Sequence, residues 1–390
     1  MNSRRAAAFA VARWIATHGH IQEMLPDGPD RAFVQDLAYT TVRRFRALRS
    51  VLGKLVTKWP KGEMEALLLV GGAQILYMPD VPDFAAVNET VSAAKSCPNS
   101  SIAKVVNGVL RNLIRRRDEF AAYLASAPLA ERESFPNGLV NRWIGRYGEA
   151  DAEKLCKWHN LPSETWLAYR PGAPEPFVKL ERGKKVADVE GFAEGAFVVQ
   201  DPATAAAIEL IGVKPGMKVL DFCAAPGGKT IQCAWRLGDF GDGSKLVAQE
   251  VNPVRRRRLA ENIKRAGFEG RVKVVEKVEA GALFDRVLAD VPCSNTGVLR
   301  RRPDARWNWT KEHLAELVKL QSEIFASAAS HVAPGGTIVY STCSNEPEEN
   351  EGQIEAFLSS NPDFEEIGRE ESVPFVTGRD GAFACALRRK

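Results

Sequence analysis

The run Leu220-Asp221-Phe222-Cys223-Ala224-Ala225-Pro226-Gly227-Gly228-Lys229-Thr230 constrains the fold of this chain more than any other stretch. A short apolar run enters a turn of small residues, and a helix-like run leaves it. Strand, tight turn and helix in that order begin a βαβ unit. The residues downstream repeat the theme. Lys245–Glu250 reads as a second strand, followed by a helix over Pro253–Ala266. Arg271–Val275 and Arg286–Asp290 read as strands, and Lys311–Val332 as a long helix. Thr337–Ser341 is a fifth strand, Asn350–Ser359 a helix, and Gly381–Leu387 a closing strand. This alternation predicts a mostly parallel, doubly wound α/β sheet over residues 196–390, with helices on both faces.

The turn also limits the ligand. Open parallel sheets bind ligands at the carboxyl ends of their strands, near the reversal in strand order. Small residues there let the backbone approach a ligand closely. The turn is not Gly-x-Gly-x-x-Gly, and it reads as lacking the Gly-Lys-Ser/Thr ending of a phosphate-binding loop. NAD and ATP are therefore disfavoured. Glu250 ends the second strand, where an acid commonly takes ribose hydroxyls. Asp290 ends the fourth. Together these residues suit S-adenosylmethionine, a cation with a free ribose.

Two thiols follow strand ends. Cys293 lies in Ala289-Asp290-Val291-Pro292-Cys293-Ser294, and Cys343 in Tyr340-Ser341-Thr342-Cys343-Ser344. A doubly wound order makes their two strands neighbours, so both thiols face one cleft. A methyl donor beside thiols has a chemical meaning. Carbon 5 of cytosine or uracil is a poor nucleophile. A thiolate adding at carbon 6 makes the ring an enamine, and carbon 5 then attacks the methyl group. An acid on the ring edge assists, which is the role expected of Asp290. A base must later take the proton from carbon 5. The residues alone leave open which thiol attacks. Cys223 belongs to the cofactor turn, and Cys97, Cys156, Cys233 and Cys385 read as structural.

The first 125 residues look different. Ala6–Thr17, Asp30–Val56, Met64–Met78, Val87–Lys95 and Ser101–Tyr123 carry apolar residues at helical spacing. A further helical stretch over 128–160 holds Trp143, Tyr147 and Trp158. Residues 161–195 are rich in Pro and Gly and read as a connector or small β subdomain. The expected division is 1–125, 126–195 and 196–390. Residues 1–150 hold 20 basic and 14 acidic residues. Residues 251–310 hold 14 basic and 7 acidic ones. This uneven charge favours a polyanionic partner. Arg111 and Arg115–Arg117, Arg255–Arg258 and Arg300–Arg302 are the candidate phosphate contacts. The seven cysteines form no Cys-x-x-Cys pair, so neither a structural metal nor a disulfide framework is expected. Scattered thiols suit a reducing cytoplasm. The best apolar run, Ala66 to Met78, is too short to span a bilayer. No membrane segment is expected.

These motifs resemble those of a known family. The run Leu220 to Thr230, the run Asp290 to Asp304 and the run Pro334 to Ser344 look like the RsmB/Sun-type RNA (cytosine-5)-methyltransferases. Glu346 to Glu351 and Val199-Gln200-Asp201-Pro202-Ala203 extend the match. Asp30-Arg31-Ala32-Phe33, Gln74-Ile75-Leu76-Tyr77, Ala85 to Val91 and Val106 to Arg111 resemble a NusB-like RNA-binding domain. The resemblance implies a Rossmann-like methyltransferase domain preceded by an all-α NusB-like bundle, acting with S-adenosylmethionine on small-subunit ribosomal RNA. It assigns attack to Cys343 and product release to Cys293. It places Cys223, Ala224, Ala225, Pro226, Gly227, Gly228 and Lys229 at the cofactor, Glu250 on the ribose, and Asp290 near methyl donor and base. The family's acid after the third strand falls on Val278 here, with Glu276 and Glu279 as neighbouring substitutes. The connector is also short for the family. The expected state is a cytoplasmic monomer with RNA as its partner, without metal or membrane. A tRNA cytosine-5 methyltransferase would share every catalytic residue, and a non-catalytic RNA-binding assembly factor would share the fold.

Overall fold

The computed structural model describes residues 2–28, 30–98, 101–181, 183–241 and 243–390. The chain forms two compact units, Met1–Pro162 with Leu299–Thr310, and Ser163–Val298 with Lys311–Lys390. This differs from the three-part division read from the sequence. The helices of 126–160 belong with the first unit, and so does a segment from far along the chain.

The first unit is helical. Its central helix, Glu63–Tyr77, buries residues around its whole circumference, including Ala66–Val70, Ala73 and Gln74. A helix apolar on every side is a core helix. Gly71 lets the helix Ser101–Arg115 come close, since a Cβ there would lie 2.5 Å from Leu110 Cδ1. That second helix buries Ala103, Val106, Val109, Leu110 and Leu113, a stripe at helical spacing.

Two helices expected to be continuous are broken. Residues 30–56 form Arg31–Arg43 and Phe45–Gly53. Residues 101–123 lie in Ser101–Arg115 and Arg117–Ser126. The first break has a distant cause. Ser134 Oγ accepts the Arg46 N–H at 2.9 Å and the Ala47 N–H at 3.4 Å, capping the second helix from far along the chain.

The segment Leu299–Thr310 is built into this unit through Arg306, which is fully buried. Its guanidinium donates to Arg43 O at 3.1 Å, Ser134 O at 3.3 Å, His159 O at 3.0 Å and Asn160 Oδ1 at 3.0 Å. It also sits 3.9 Å from the Phe135 ring centroid. Arg300 is buried over the Trp158 ring, and Arg302 pairs with Asp304 at 3.4 Å. The expectation that these arginines meet phosphate is therefore corrected for Arg300 and Arg302, whose charges are used within the protein. Trp143 packs on Phe135 in the same core. In the basic stripe, Arg116 and Arg117 pair with Glu119 and Asp83, while among the described residues Arg111 and Arg115 bond to the neutral Asn107 and Asn112.

The second unit opens with a three-stranded antiparallel sheet, β1 (Trp166–Tyr169), β2 (Phe177–Lys179) and β3 (Phe197–Val199), in the order β2-β1-β3. The main sheet comprises β4 (Lys218–Asp221), β5 (Lys245–Gln249), β6 (Val272–Val275), β7 (Phe284–Asp290), β8 (Val332–Thr342), β9 (Phe364–Ser372) and β10 (Ala382–Arg389). Its order is β6-β5-β4-β7-β8-β10-β9. The first five strands in that order are parallel, and β10 and β9 are antiparallel. Alternate residues supply two cores. Val219, Leu288, Val339 and Ala384 face one side, and Leu220, Val287, Ala289, Ile338 and Tyr340 the other. The edge strand β9 was not expected. It carries Glu365, Glu366, Arg369, Glu370 and Glu371, the charged composition that protects an open sheet edge. Among the described residues, no helix is long and apolar enough to cross a membrane.

Candidate active site

The strand reversal lies between β4, β5 and β7, and the predicted turn sits there. Gly227 has φ +109° and begins the helix Gly228–Leu237. A Cβ at Gly227 would also lie 2.9 Å from Leu259 Cδ1. The positive φ is what requires glycine. Asn262 Nδ2 holds the Pro226 carbonyl at 2.9 Å. The sequence does carry the Gly-Lys-Thr ending of a phosphate loop at Gly228-Lys229-Thr230, with Cys223 where such a loop has its first glycine. Those side chains are spent elsewhere. Lys229 Nζ meets Asp290 Oδ2 at 2.7 Å, and Thr230 Oγ1 donates to Asp221 Oδ2 at 2.6 Å.

A small cleft of about 120 Å³ is lined by Gln200, Asp221, Cys223–Pro226, Gly228, Lys229 and Asp290. Glu250, just past β5, is buried, and its Oε1 accepts the Asn252 N–H at 2.8 Å. Its Oε2 accepts no hydrogen bond among the described residues. Glu250 lines neither cleft and pairs with Arg255 at 3.5 Å, so the cleft and its close backbone are what fit S-adenosylmethionine. Neither Glu276 nor Glu279 lines the cleft; they pair with Arg256 at 3.0 Å and Lys273 at 3.2 Å. Val278 holds the expected acid's place, and its N–H donates to Gln249 Oε1 at 2.8 Å. Gln249 Nε2 donates in turn to Phe222 O at 3.3 Å, so this side chain ties three strand ends together.

A larger cleft of about 790 Å³ adjoins the first through Lys229 and Asp290, which line both. Val291, Ser341, Thr342 and Cys343 continue its wall, facing Pro202–Ala207. β7 and β8 are parallel neighbours with Asp290 opposite Ser341, and Ser341 Oγ donates to Asp290 Oδ1 at 2.7 Å. Asp290 is thus fixed on both oxygens. Burial lowers the Lys229 ammonium, but Asp290 outweighs it and leaves Lys229 above its ordinary value.

The two thiols lie together, with Cys293 Sγ and Cys343 Sγ 3.2 Å apart, but only Cys343 faces the cleft, which corrects the expectation that both would. They are not equivalent. Cys343 lines the larger cleft, whereas Cys293 is buried behind it. The hydrogen bond with Cys343, then burial, raise the Cys293 thiol well above its ordinary value. Cys343 Sγ also lies 3.3 Å from Asn295 Oδ1, and Asn295 Nδ2 donates to Cys293 O at 2.8 Å. Asn295 adopts φ +60°, a conformation asparagine tolerates better than most residues. In the turn, burial raises the Cys223 thiol far above its ordinary value, which makes it a poor nucleophile. Of the exposed basic helix, Arg256 is held by Glu276 and by Glu250 O, while Arg257 and Arg258 remain exposed.

This sheet order, turn and thiol pair define a Rossmann-like methyltransferase. The comparisons are specific. Residues 209–379 match the family described as 16S rRNA methyltransferase RsmB/F, and residues 1–115 match the NusB family. The ribosomal RNA small subunit methyltransferase B of Cronobacter sakazakii is 32% identical over 100% of this chain and 99% of its own. That of Salmonella arizonae is 32% identical with the same coverage. The crystal structure of PH0851 has the same fold, with a TM-score of 0.79 over 100% of this chain and 98% of its own, at 21% identity. The chain belongs to the RsmB/F methyltransferase family. It is an S-adenosylmethionine-dependent enzyme.

Proposed function

We propose that this chain methylates carbon 5 of a cytosine in small-subunit ribosomal RNA, with Cys343 as the attacking thiol and Cys293 as the group that releases the product. One observation carries the assignment of roles. Cys343 lines the cleft beside Lys229 and Asp290, while the sulfur of Cys293 sits behind it at 3.2 Å.

S-adenosylmethionine, when bound, would supply an electrophilic methyl group, with Cys223–Lys229 and Glu250 as the residues that would hold it. The side chains do the rest. The two sulfurs lie 3.2 Å apart, close enough to share a proton, and the reaction needs Cys343 as the thiolate. That thiolate adds to carbon 6, and the ring's electron density moves to carbon 5. Asp290, fixed by Ser341 and Lys229, accepts from the ring edge. Lys229 carries the proton expected of the acid. In the adduct the Cys343 sulfur is a neutral thioether, which removes the largest effect raising Cys293 and leaves burial and the Glu349 charge. Cys293 gives its proton to water and takes the one from carbon 5. The carbon–sulfur bond breaks, and its electron pair returns to Cys343. One proton leaves for each methyl transferred.

The target base has to leave its stack to reach this thiol, which favours a single-stranded loop or an early assembly intermediate. Arg257, Arg258, Arg111 and Arg115 are the remaining exposed cations for phosphate. A catalytic thiolate needs a reducing compartment, in keeping with a cytoplasmic enzyme. The test is to incubate the protein with labelled S-adenosylmethionine and either small-subunit ribosomal RNA or tRNA, then map the product by bisulfite. 5-Methylcytosine at one ribosomal position is expected. Methylation of tRNA alone would transfer the assignment, and binding of both ligands without product would support the assembly factor.

A further inference from the structure

The acidic run after Cys343 has no part in the chemistry above, yet Glu349 is among the most buried carboxylates in the chain, with no exposed surface. It ends the short 3₁₀ turn Pro347–Glu349. Ser294 follows Cys293, and Ser344 follows Cys343. Glu349 Oε1 accepts the Ser294 N–H at 2.8 Å and Gln321 Nε2 at 2.8 Å. Its Oε2 accepts both the Ser294 and the Ser344 hydroxyls. We propose that Glu349 is a positioning residue for the thiol pair, a buried clasp that joins the loop of Cys293 to the loop of Cys343 and sets the distance between their sulfurs.

Three features support this. First, no Lys, Arg or His lies within ion-pair distance of Glu349 among the described residues. Its burial is offset by four donors alone, and two of those belong to the Cys293 loop and one to the Cys343 loop. Hydrogen bonds to a carboxylate are about twice as strong as neutral ones. Second, the clasp is itself anchored. Tyr340 OH donates to Glu349 O at 2.7 Å, and Gln321 Nε2 also holds Pro292 O at 3.0 Å, just before Cys293. Third, the neighbouring side chain does a different task. Asn350 Oδ1 accepts from Thr342 Oγ1 at 2.6 Å, and its Nδ2 donates to Ser344 O at 2.9 Å. Asn350 braces the Cys343 loop alone, whereas Glu349 spans both loops. Its charge also opposes ionisation of Cys293, after the larger effects of Cys343 and burial.

The inference deepens the proposed function, but its first test does not depend on it. Diamide takes two electrons and two protons from a thiol pair and leaves a disulfide, so its rate reports how the sulfurs are held. In Glu349→Gln the Cys293–Cys343 disulfide is expected to form roughly tenfold more slowly, because effective concentration falls steeply with misplacement. The second test is kinetic. kcat for RNA is expected to fall on the order of 10²-fold, with KM for RNA within about twofold of the parent value. The covalent protein–RNA adduct should accumulate although both cysteines are present, because release needs Cys293 in place. An unchanged disulfide rate would overturn the proposal, whether or not kcat falls. Slower disulfide formation in a protein whose parent methylates nothing would support the clasp and refute the function. If Glu349→Gln does not fold, the single variant Ser294→Ala removes one hydroxyl donor to Glu349, leaves Ser344 and its bond to the Glu346 N–H in place, and is held to the same readings.

Discussion

The donor side and the thiol side of this site are built by opposite means. The turn after β4 is set by backbone. Gly227 takes a conformation other residues avoid, and small side chains leave room for a ligand. The loops after β7 and β8 are set by buried side chains, with Glu349, Asn350, Thr296, Ser294 and Ser344 sharing one hydrogen-bond network. A methyl donor needs a shaped groove, which backbone supplies. Two sulfurs that act in turn during one turnover need a fixed separation, which takes cross-linking between loops.

The largest expected effects lie on the thiol side. Cys343→Ala should lower methylation by roughly 10⁴-fold or more, read as label transferred to RNA. Asp290→Asn should cost on the order of 10²–10³-fold in kcat, since it weakens the hold on Lys229 and the ring edge together. An equal loss from Lys229→Met would show that the pair acts as a unit. On the donor side the effects are smaller and appear in binding. Gly227→Ala combines a strained φ with a contact against Leu259, and should weaken S-adenosylmethionine binding about tenfold by calorimetry. A fall in kcat without a change in that affinity would break the contrast between the two sides.

A further prediction concerns Asp221, beneath the turn. Burial pushes its carboxyl up to about 7, against the pull of Thr230. An acid raised on folding binds its proton more tightly in the folded chain. Stability therefore falls as pH rises from about 4 to about 7, with a slope of at most about 1.4 kcal/mol per pH unit. Asp221→Asn should remove that slope from denaturant titrations. In the helical unit, Arg306→Met leaves the Arg43, Ser134 and His159 carbonyls without this donor and should cost about 3 kcal/mol of stability.

This division of labour also explains what was legible in the sequence. Alternating apolar runs revealed five parallel strands, and the pairing of β7 with β8 brought Cys293 and Cys343 together as expected. Gly227 was legible because backbone constraints leave glycine as their mark. Glu349 and Gln249 were not, because a buried acceptor and a surface one look alike in a sequence. Charge misled in two places. Arg300 to Arg302 read as a nucleic-acid patch, yet Arg300 and Arg302 serve packing and an internal ion pair. The acidic β9 hid a strand, because an edge strand shields itself with charge. The break at Arg44 depends on Ser134, and no local pattern announces a cap supplied from that distance.

The most direct test of the unequal thiols is a denaturing gel of protein, S-adenosylmethionine and small-subunit ribosomal RNA. Cys293→Ala should give a covalent protein–RNA band that survives denaturant, and the double variant with Cys343→Ala should give none. A band from Cys343→Ala, with none from Cys293→Ala, would reverse the two roles and contradict the account.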